Sequence, residues 1–221
     1  MAKRIPVALA AVVVSLFVSF SAQGQVLKSH APSTVDLDAR LKEVEANPRQ
    51  FEASYKAGAK VAAFCANCHG DGGNSVKPDI PNLAGQNPSY LLEQLHQFAD
   101  GRRRNDFMER LIRALNPEEK IGMVVFYAKQ EVVHKPVADT ALVNKGKEYY
   151  GKICFRCHGE DGRGNEKIAR IAGQQVNYLN LTLKRYRDGS SIRQDALMAA
   201  NTRQMSDADI AAVVAYVSSM K

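Results

Sequence analysis

Cys65-Ala66-Asn67-Cys68-His69-Gly70 recurs 89 residues later as Cys154-Phe155-Arg156-Cys157-His158-Gly159, and no other feature limits so sharply what this chain can fold into. The recurrence is not confined to that motif. Leu83-Ala84-Gly85-Gln86 returns as Ile171-Ala172-Gly173-Gln174, Tyr90-Leu91 as Tyr178-Leu179, Asp100-Gly101 as Asp188-Gly189, and Met108 as Met198. Val124-Val125-Phe126-Tyr127 returns as Val213-Val214-Ala215-Tyr216, and every offset lies between 88 and 90. Register held over so long a span means a duplicated domain.

Each copy reads as helices joined by loops. Phe51, Tyr55, Gly58 and Ala62 fall at helical spacing ahead of the first motif, and Leu142 to Ile153 takes that part in the second. Leu91, Leu92, Leu95 and Phe98 share a face, as do Leu179, Leu183 and Tyr186. Both closing helices announce their starts: Asn116, Pro117 and Glu119 in one copy, Ser206 and Asp209 in the other, are capping boxes. No segment alternates as a strand does, so the expected fold is all-α, two tandem domains related by internal duplication. The expected limits are 51–130 and 141–221 for the domains and 131–140 for a linker. Residues 25–50 form an N-terminal extension with no counterpart in the second copy. Within it Leu37, Leu41 and Val44 suggest a short amphipathic helix ended at Asn47-Pro48, a packing arm with a partner-docking element as the alternative.

Residues 1–24 have the order of a secretory signal peptide: Lys3 and Arg4, an apolar run from Val7 to Phe20, then small residues. Export sets the meaning of the formal charge of +7. A basic protein outside the cytoplasm is no nucleic-acid binder, and no other stretch is long enough to span a membrane.

The four cysteines all lie in the two motifs. Cys-x-x-Cys-His is the attachment signature of c-type haem: the two thiols add to the vinyl groups and the adjacent histidine reaches the iron. A redox disulfide needs no neighbouring histidine. A zinc site would bring its Cys pairs within some tens of residues and not 89 apart. The expected cofactors are therefore two covalently bound haem c, held by Cys65 and Cys68 and by Cys154 and Cys157, with His69 and His158 as iron ligands. The second axial ligand decides between electron transfer and an open, catalytic iron. His30, His96 and His134 have no matched partners, whereas Met108 and Met198 follow their histidines by 39 and 40 residues. Those methionines are the expected ligands. Met205 is the alternative in the second copy, although it aligns with Leu115 and so reads as core.

The repeated motif, Pro81-Asn82-Leu83-Ala84-Gly85-Gln86, and Gln94-Leu95 before Asp100-Gly101 resemble the cytochrome c4 family across residues 55–221. The resemblance implies two class I cytochrome c domains with His/Met haems, in the bacterial periplasm. It implies an electron-transfer protein and not an enzyme, shuttling electrons from a quinol-oxidising complex to a terminal oxidase and meeting the membrane only through those partners. The alternative is a dihaem cytochrome subunit of an oxidoreductase complex, such as a flavocytochrome sulfide dehydrogenase. It also implies that the Pro81 carbonyl accepts the ligand histidine's ring N–H; the second copy has Ala169 there. The family's Gly-x-Arg is met by Gly101-Arg102-Arg103, but Gly189-Ser190-Ser191 lacks the arginine, for which Arg193 is the substitute. The basic runs Arg102-Arg103-Arg104 and Lys184, Arg185, Arg187 suit either partner docking or a solvated helix end.

Overall fold

The structure, a computed structural model, describes residues 35–134 and 140–221. The expected leader, the first ten residues of the extension and part of the expected linker lie outside the described residues.

Asp36 caps α1 (Leu37–Ala46), whose Leu41 and Val44 are buried in the first core. Asn47 ends that helix and, with its side chain accepting from the Arg49 and Gln50 amides, starts α2 (Pro48–His69). Arg40 fixes the arm in place by donating to Glu118 at 2.9 Å and to Gln50 at 2.7 Å. The first copy continues with α3 (Pro88–Asp100), α4 (Asp106–Ala114) and α5 (Pro117–Ala128). The second has α6 (Thr140–Tyr150), α7 (Phe155–His158), α8 (Val176–Arg187), α9 (Ala196–Thr202) and α10 (Asp207–Ser219). Both expected capping boxes form, at Asn116/Glu119 and Ser206/Asp209. Ile121, Val124 and Val125 are buried from α5, and Ile210, Val213, Val214 and Val217 from α10. Among the described residues there is no strand, only a single antiparallel bridge between Arg103 and Arg193.

In each copy the first and last helices cross at a point with no room for a side chain. A Cβ on Gly58 would sit 1.9 Å from the Gly122 carbonyl oxygen, and one on Gly146 would sit 1.9 Å from that of Ala212. From this crossing the copies diverge. Gly58 lies seven residues before Cys65, while Gly146 lies eight before Cys154. The first copy therefore runs one unbroken helix through its motif. The second, expected as one helix to Ile153, breaks after Tyr150. The extra residue is taken up in a tightened turn, where Ile153 N donates to Tyr150 O three residues back and Cys154 N to the same oxygen. Gly151, a poor helix residue, sits in the turn. The Tyr150 hydroxyl, donating to Gly159 O at 2.6 Å, ties the broken helix to the end of the motif.

The copies meet through the two Leu/Ile-Ala-Gly-Gln loops. The Gln174 amide accepts from Asn82 N (2.7 Å) and donates to Asn82 O (3.0 Å). The Gln86 amide accepts from Arg170 N (2.7 Å) and donates to Arg170 O (2.8 Å). Both offsets are 88, so one interaction is made twice with the copies exchanged. Asn82 adds a bond to Gly173 O and another to Gln175. Gly85 and Gly173, at φ of +62° and +70°, form the turns, and a Cβ on either would press on Val132 of the linker.

Gly58→Ala and Gly146→Ala should each lower stability by about 3 kcal/mol, because the crossing backbone has to move. Gly101→Ala and Gly189→Ala, also at positive φ but with nothing within 4 Å of the new Cβ, should lose about 1 kcal/mol from backbone strain alone. Urea unfolding of the haem-loaded protein measures all four. Equal losses would show that the crossings do not depend on the absent side chain.

Candidate metal centres

Cys65, Cys68 and His69 occupy the last turn of α2, which Gly70 ends at φ +75°. Cys154 is the residue before α7, Cys157 and His158 lie in it, and Gly159 ends it at φ +78°. The motifs thus reach one end state by different helical routes. Burial pushes the Cys65 thiol up and that of Cys154 up to about 11. This is opposite to the lowered pKa that makes a Cys-x-x-Cys pair a thiol exchanger. Among the described residues no group of three or more His, Cys, Asp and Glu side chains is gathered as a bare metal ion would need.

Each histidine is fixed by a backbone carbonyl. His69 Nδ1 lies 2.9 Å from Pro81 O, and His158 Nδ1 lies 3.0 Å from Ala169 O. A carbonyl only accepts, so Nδ1 carries the proton and Nε2 is left with its lone pair free for a metal. Burial, the largest influence on both rings, lowers their pKa and keeps them neutral. The exchange of proline for Ala169 changes nothing here, because the acceptor is main chain.

Met108 and Met198 are each the third residue of a short helix, α4 and α9. Their amides donate to the capping side chains Asn105 Oδ1 (3.0 Å) and Asp195 Oδ1 (2.9 Å). Both are half-buried, with the apolar residues just before them, Phe107 and Leu197, exposed. Met205 is 5% exposed in the second core, and Met123 and Met220 are core residues too. Met198 thus shares the helix position and half-burial of Met108, and Met205 shares neither.

Two cations mark where an acidic group would fit. Arg103 donates to Gln94 Oε1 (2.8 Å) and to the Tyr178 hydroxyl (3.1 Å) and lies over the Phe98 ring. Arg193 donates to the same Tyr178 hydroxyl (2.6 Å) and to that of Tyr90. Neither guanidinium has a carboxylate partner among the described residues. Burial pushes the Tyr178 hydroxyl up, but the charges of Arg193 and Arg103 outweigh it and hold it well below the usual phenol range. Two cations converging on phenols, in domains that also hold five buried or half-buried thiol and imidazole groups, suit haem, whose propionates would supply the missing carboxylates. A backbone bridge sets Arg103 and Arg193 side by side, so Arg193 stands next to the arginine whose counterpart Gly189-Ser190-Ser191 lacks.

The neighbouring basic runs are largely engaged. Arg102 pairs with Asp100 and Glu93, Arg104 with Glu109, and Lys184 and Arg187 with Asp207. These pairings are what a solvated helix end would show. The hydroxyls of Tyr90 and Tyr178 were not singled out from sequence as functional. Their recurrence at an offset of 88 was the available signal.

The family model "Cytochrome c" matches residues 55–123 and 143–221. Cytochrome c4 of Pseudomonas aeruginosa is 32% identical over 173 residues, covering 73% of this chain and 86% of that one. The thiosulfate dehydrogenase electron acceptor of Thiomonas intermedia is 31% identical over 178 residues, covering 75% and 82%. The crystal structure of reduced recombinant cytochrome c4 from Pseudomonas stutzeri superposes with a TM-score of 0.70 at 27% identity, covering 76% of this chain and 98% of that one.

Replacing a buried cation beside an iron centre by a neutral side chain favours the more positive, oxidised state. Arg193→Gln should therefore lower the midpoint potential of the second haem more than that of the first, read by spectroelectrochemical titration. Unchanged potentials would mean that Arg193 serves the tyrosines alone.

Proposed function

The chain belongs to the cytochrome c4 family, with two class I cytochrome c domains and two covalently bound haem c groups, and on that footing we propose that it is a periplasmic shuttle carrying electrons from a quinol-oxidising complex to a terminal oxidase. The domains of this reading are residues 51–130 and 141–221, joined by 131–140 and preceded by a cleaved leader. Among the described residues no helix is long and apolar enough to cross a membrane.

Haem, when bound, supplies one-electron exchange at iron. The chain's residues decide how that exchange is used. Cys65 and Cys68, and Cys154 and Cys157, form the thioether links. His69 and His158 present Nε2 with their tautomers set by the main chain. Met108 and Met198 would supply the sulfur ligands, and thioether ligation raises the potential. With every iron ligand supplied by the protein, no substrate would reach the metal, which is the condition of a carrier and not of a peroxidase. The observation that carries this reading is the matched pair of centres: a carbonyl-fixed histidine and a methionine at the third position of a capped helix, made twice.

A second reading is favoured by the similarity to a thiosulfate dehydrogenase electron acceptor. In it the chain takes electrons directly from a dehydrogenase, as the cytochrome subunit of an oxidoreductase complex of the kind that flavocytochrome sulfide dehydrogenase exemplifies. Co-purification with a dehydrogenase, as against a quinol-oxidising complex, separates the two.

Pyridine haemochrome analysis should give two haems per chain. Met108→Ala and Met198→Ala should each remove the sulfur-to-iron absorption band of one haem and lower its potential. Met205→Ala should leave both bands and lower stability by about 2–5 kcal/mol, as a large-to-small change in a core does. Loss of a band in Met205→Ala with both retained in Met198→Ala would reassign the ligand of the second domain.

A further inference from the structure

The two domains share one ligand set but not one surface. Residues 35–130 carry 13 Lys and Arg against 13 Asp and Glu, whereas residues 141–221 carry 13 against 8. The surplus is not spread evenly over ion pairs. In the second domain Lys184 and Arg187 are paired with acids, while Lys145, Lys147, Lys152 and Arg156 are exposed and make no ion pair among the described residues. These four lie on the segment that leads into and through the second attachment motif. Lys152 is two residues before Cys154, and Arg156 stands between the two cysteines.

The same positions of the first domain, counted from its first cysteine, are Ala63 and Asn67, next to Phe64, which is 58% exposed. Each domain also exposes an apolar residue immediately before its methionine, Phe107 at 54% and Leu197 at 68%. An apolar residue next to the methionine is thus common to both domains. Free positive charge within two residues of the first cysteine belongs to the second domain alone. In the first domain Lys60 and Arg110 are exposed and make no ion pair among the described residues, but Lys60 stands five residues before Cys65 and Arg110 stands on the methionine helix.

We propose that the motif face of the second domain, with Lys152 and Arg156 at its centre, is the docking surface for an acidic electron-transfer protein. The inference rests on the electron-carrier reading above. Opposite charge steers the encounter, and Leu197 gives the contact an apolar element that tolerates rapid release. Across this contact one electron passes between the second centre and the partner's, one being oxidised and the other reduced, with no proton required. Paired cations could not serve as well, since their field is cancelled locally, which sets Lys152 and Arg156 apart from Arg102, Arg104 and Arg187. Their place at the motif and the surplus charge of their domain set them apart from Lys60 and Arg110 of the first.

The probe is oxidation of the fully reduced haem-loaded protein by ferricyanide, a trianion that takes one electron, with poly-L-glutamate as an acidic macromolecular competitor. Lys152→Glu/Arg156→Glu should slow the phase belonging to the second haem about tenfold at low ionic strength. The difference should shrink to about twofold or less near 0.5 M salt, where screening acts over a few ångströms. Poly-L-glutamate should slow that phase in the wild type and not in the variant. Lys42→Glu/Arg49→Glu, an equal charge change on α1 and the first turn of α2, should leave the phase within about twofold. Lys147→Glu/Lys152→Glu repeats the test outside the Cys-x-x-Cys motif, in case haem attachment suffers. Equal slowing by Lys42→Glu/Arg49→Glu would make the effect one of net charge and overturn the proposal. Competition by anionic phosphatidylglycerol vesicles but not by poly-L-glutamate would also overturn it, in favour of a membrane-binding face. Haem content and two reversible voltammetric couples are read on the same samples. Their loss in the wild type would count against the electron-carrier reading, and their retention with salt-independent rates against the docking surface alone.

Discussion

The close crossing of the first and last helix is the constraint on which each domain hangs. Helix axes normally stand 8–10 Å apart, separated by side chains. At Gly58 over Gly122, and Gly146 over Ala212, backbone meets backbone instead. That contact sets how far the motif lies from the crossing, and so where two thiols and an imidazole face the rest of the domain. The remaining elements are placed from it. The aromatic rows pack beside it, Tyr55 with Phe126 and Tyr127 in one domain and Tyr150 with Tyr216 in the other. The loop after the motif returns a carbonyl to the histidine, and the short capped helix brings the methionine. Domains this small bury modest cores, and the covalent group adds an attachment at the site the crossing has fixed.

Much of this was legible in the sequence because it is written as residue identity at fixed spacing. The duplicated motif, the matched methionines and the capping boxes need only local chemistry to be read. The arm at 37–46 could be read as a packing element from Leu41 and Val44. The break in the second entering helix was not foreseen, although its cause is in the sequence: the interval from crossing glycine to first cysteine grows from seven residues to eight. Without the crossing in view, nothing says which glycine to count from. The basic runs were ambiguous for a different reason. Arg102 and Arg104 find acids both nearby and a helix away, and side chains such as Glu93 become neighbours only once α3 has folded. The convergence of Arg103 and Arg193 on one phenol joins residues 75 and 15 positions from Tyr178 in opposite directions, beyond any local pattern.

Charge and phenol chemistry at the meeting of the domains follow from the same geometry. Arg103 and Arg193, paired through a backbone bridge, bring like charges to one phenol in a half-buried place, an arrangement that is costly unless anionic groups complete it. Tyr178 answers part of the excess, its hydroxyl accepting from both guanidiniums. A group bearing carboxylates on each side would answer the rest. Filling of the two sites would then strengthen the interface as well.

The glutamine pairs at that interface have an evolutionary consequence. Gln86 and Gln174 grip the main chain of residues 170 and 82, not their side chains. The grip is indifferent to what those residues are, and they are in fact an arginine and an asparagine. A duplicated chain joined in this manner can change the surface of one half without loosening its hold on the other. Twin modules can then drift into unlike specialists while the seam between them stays as it was at the moment of duplication.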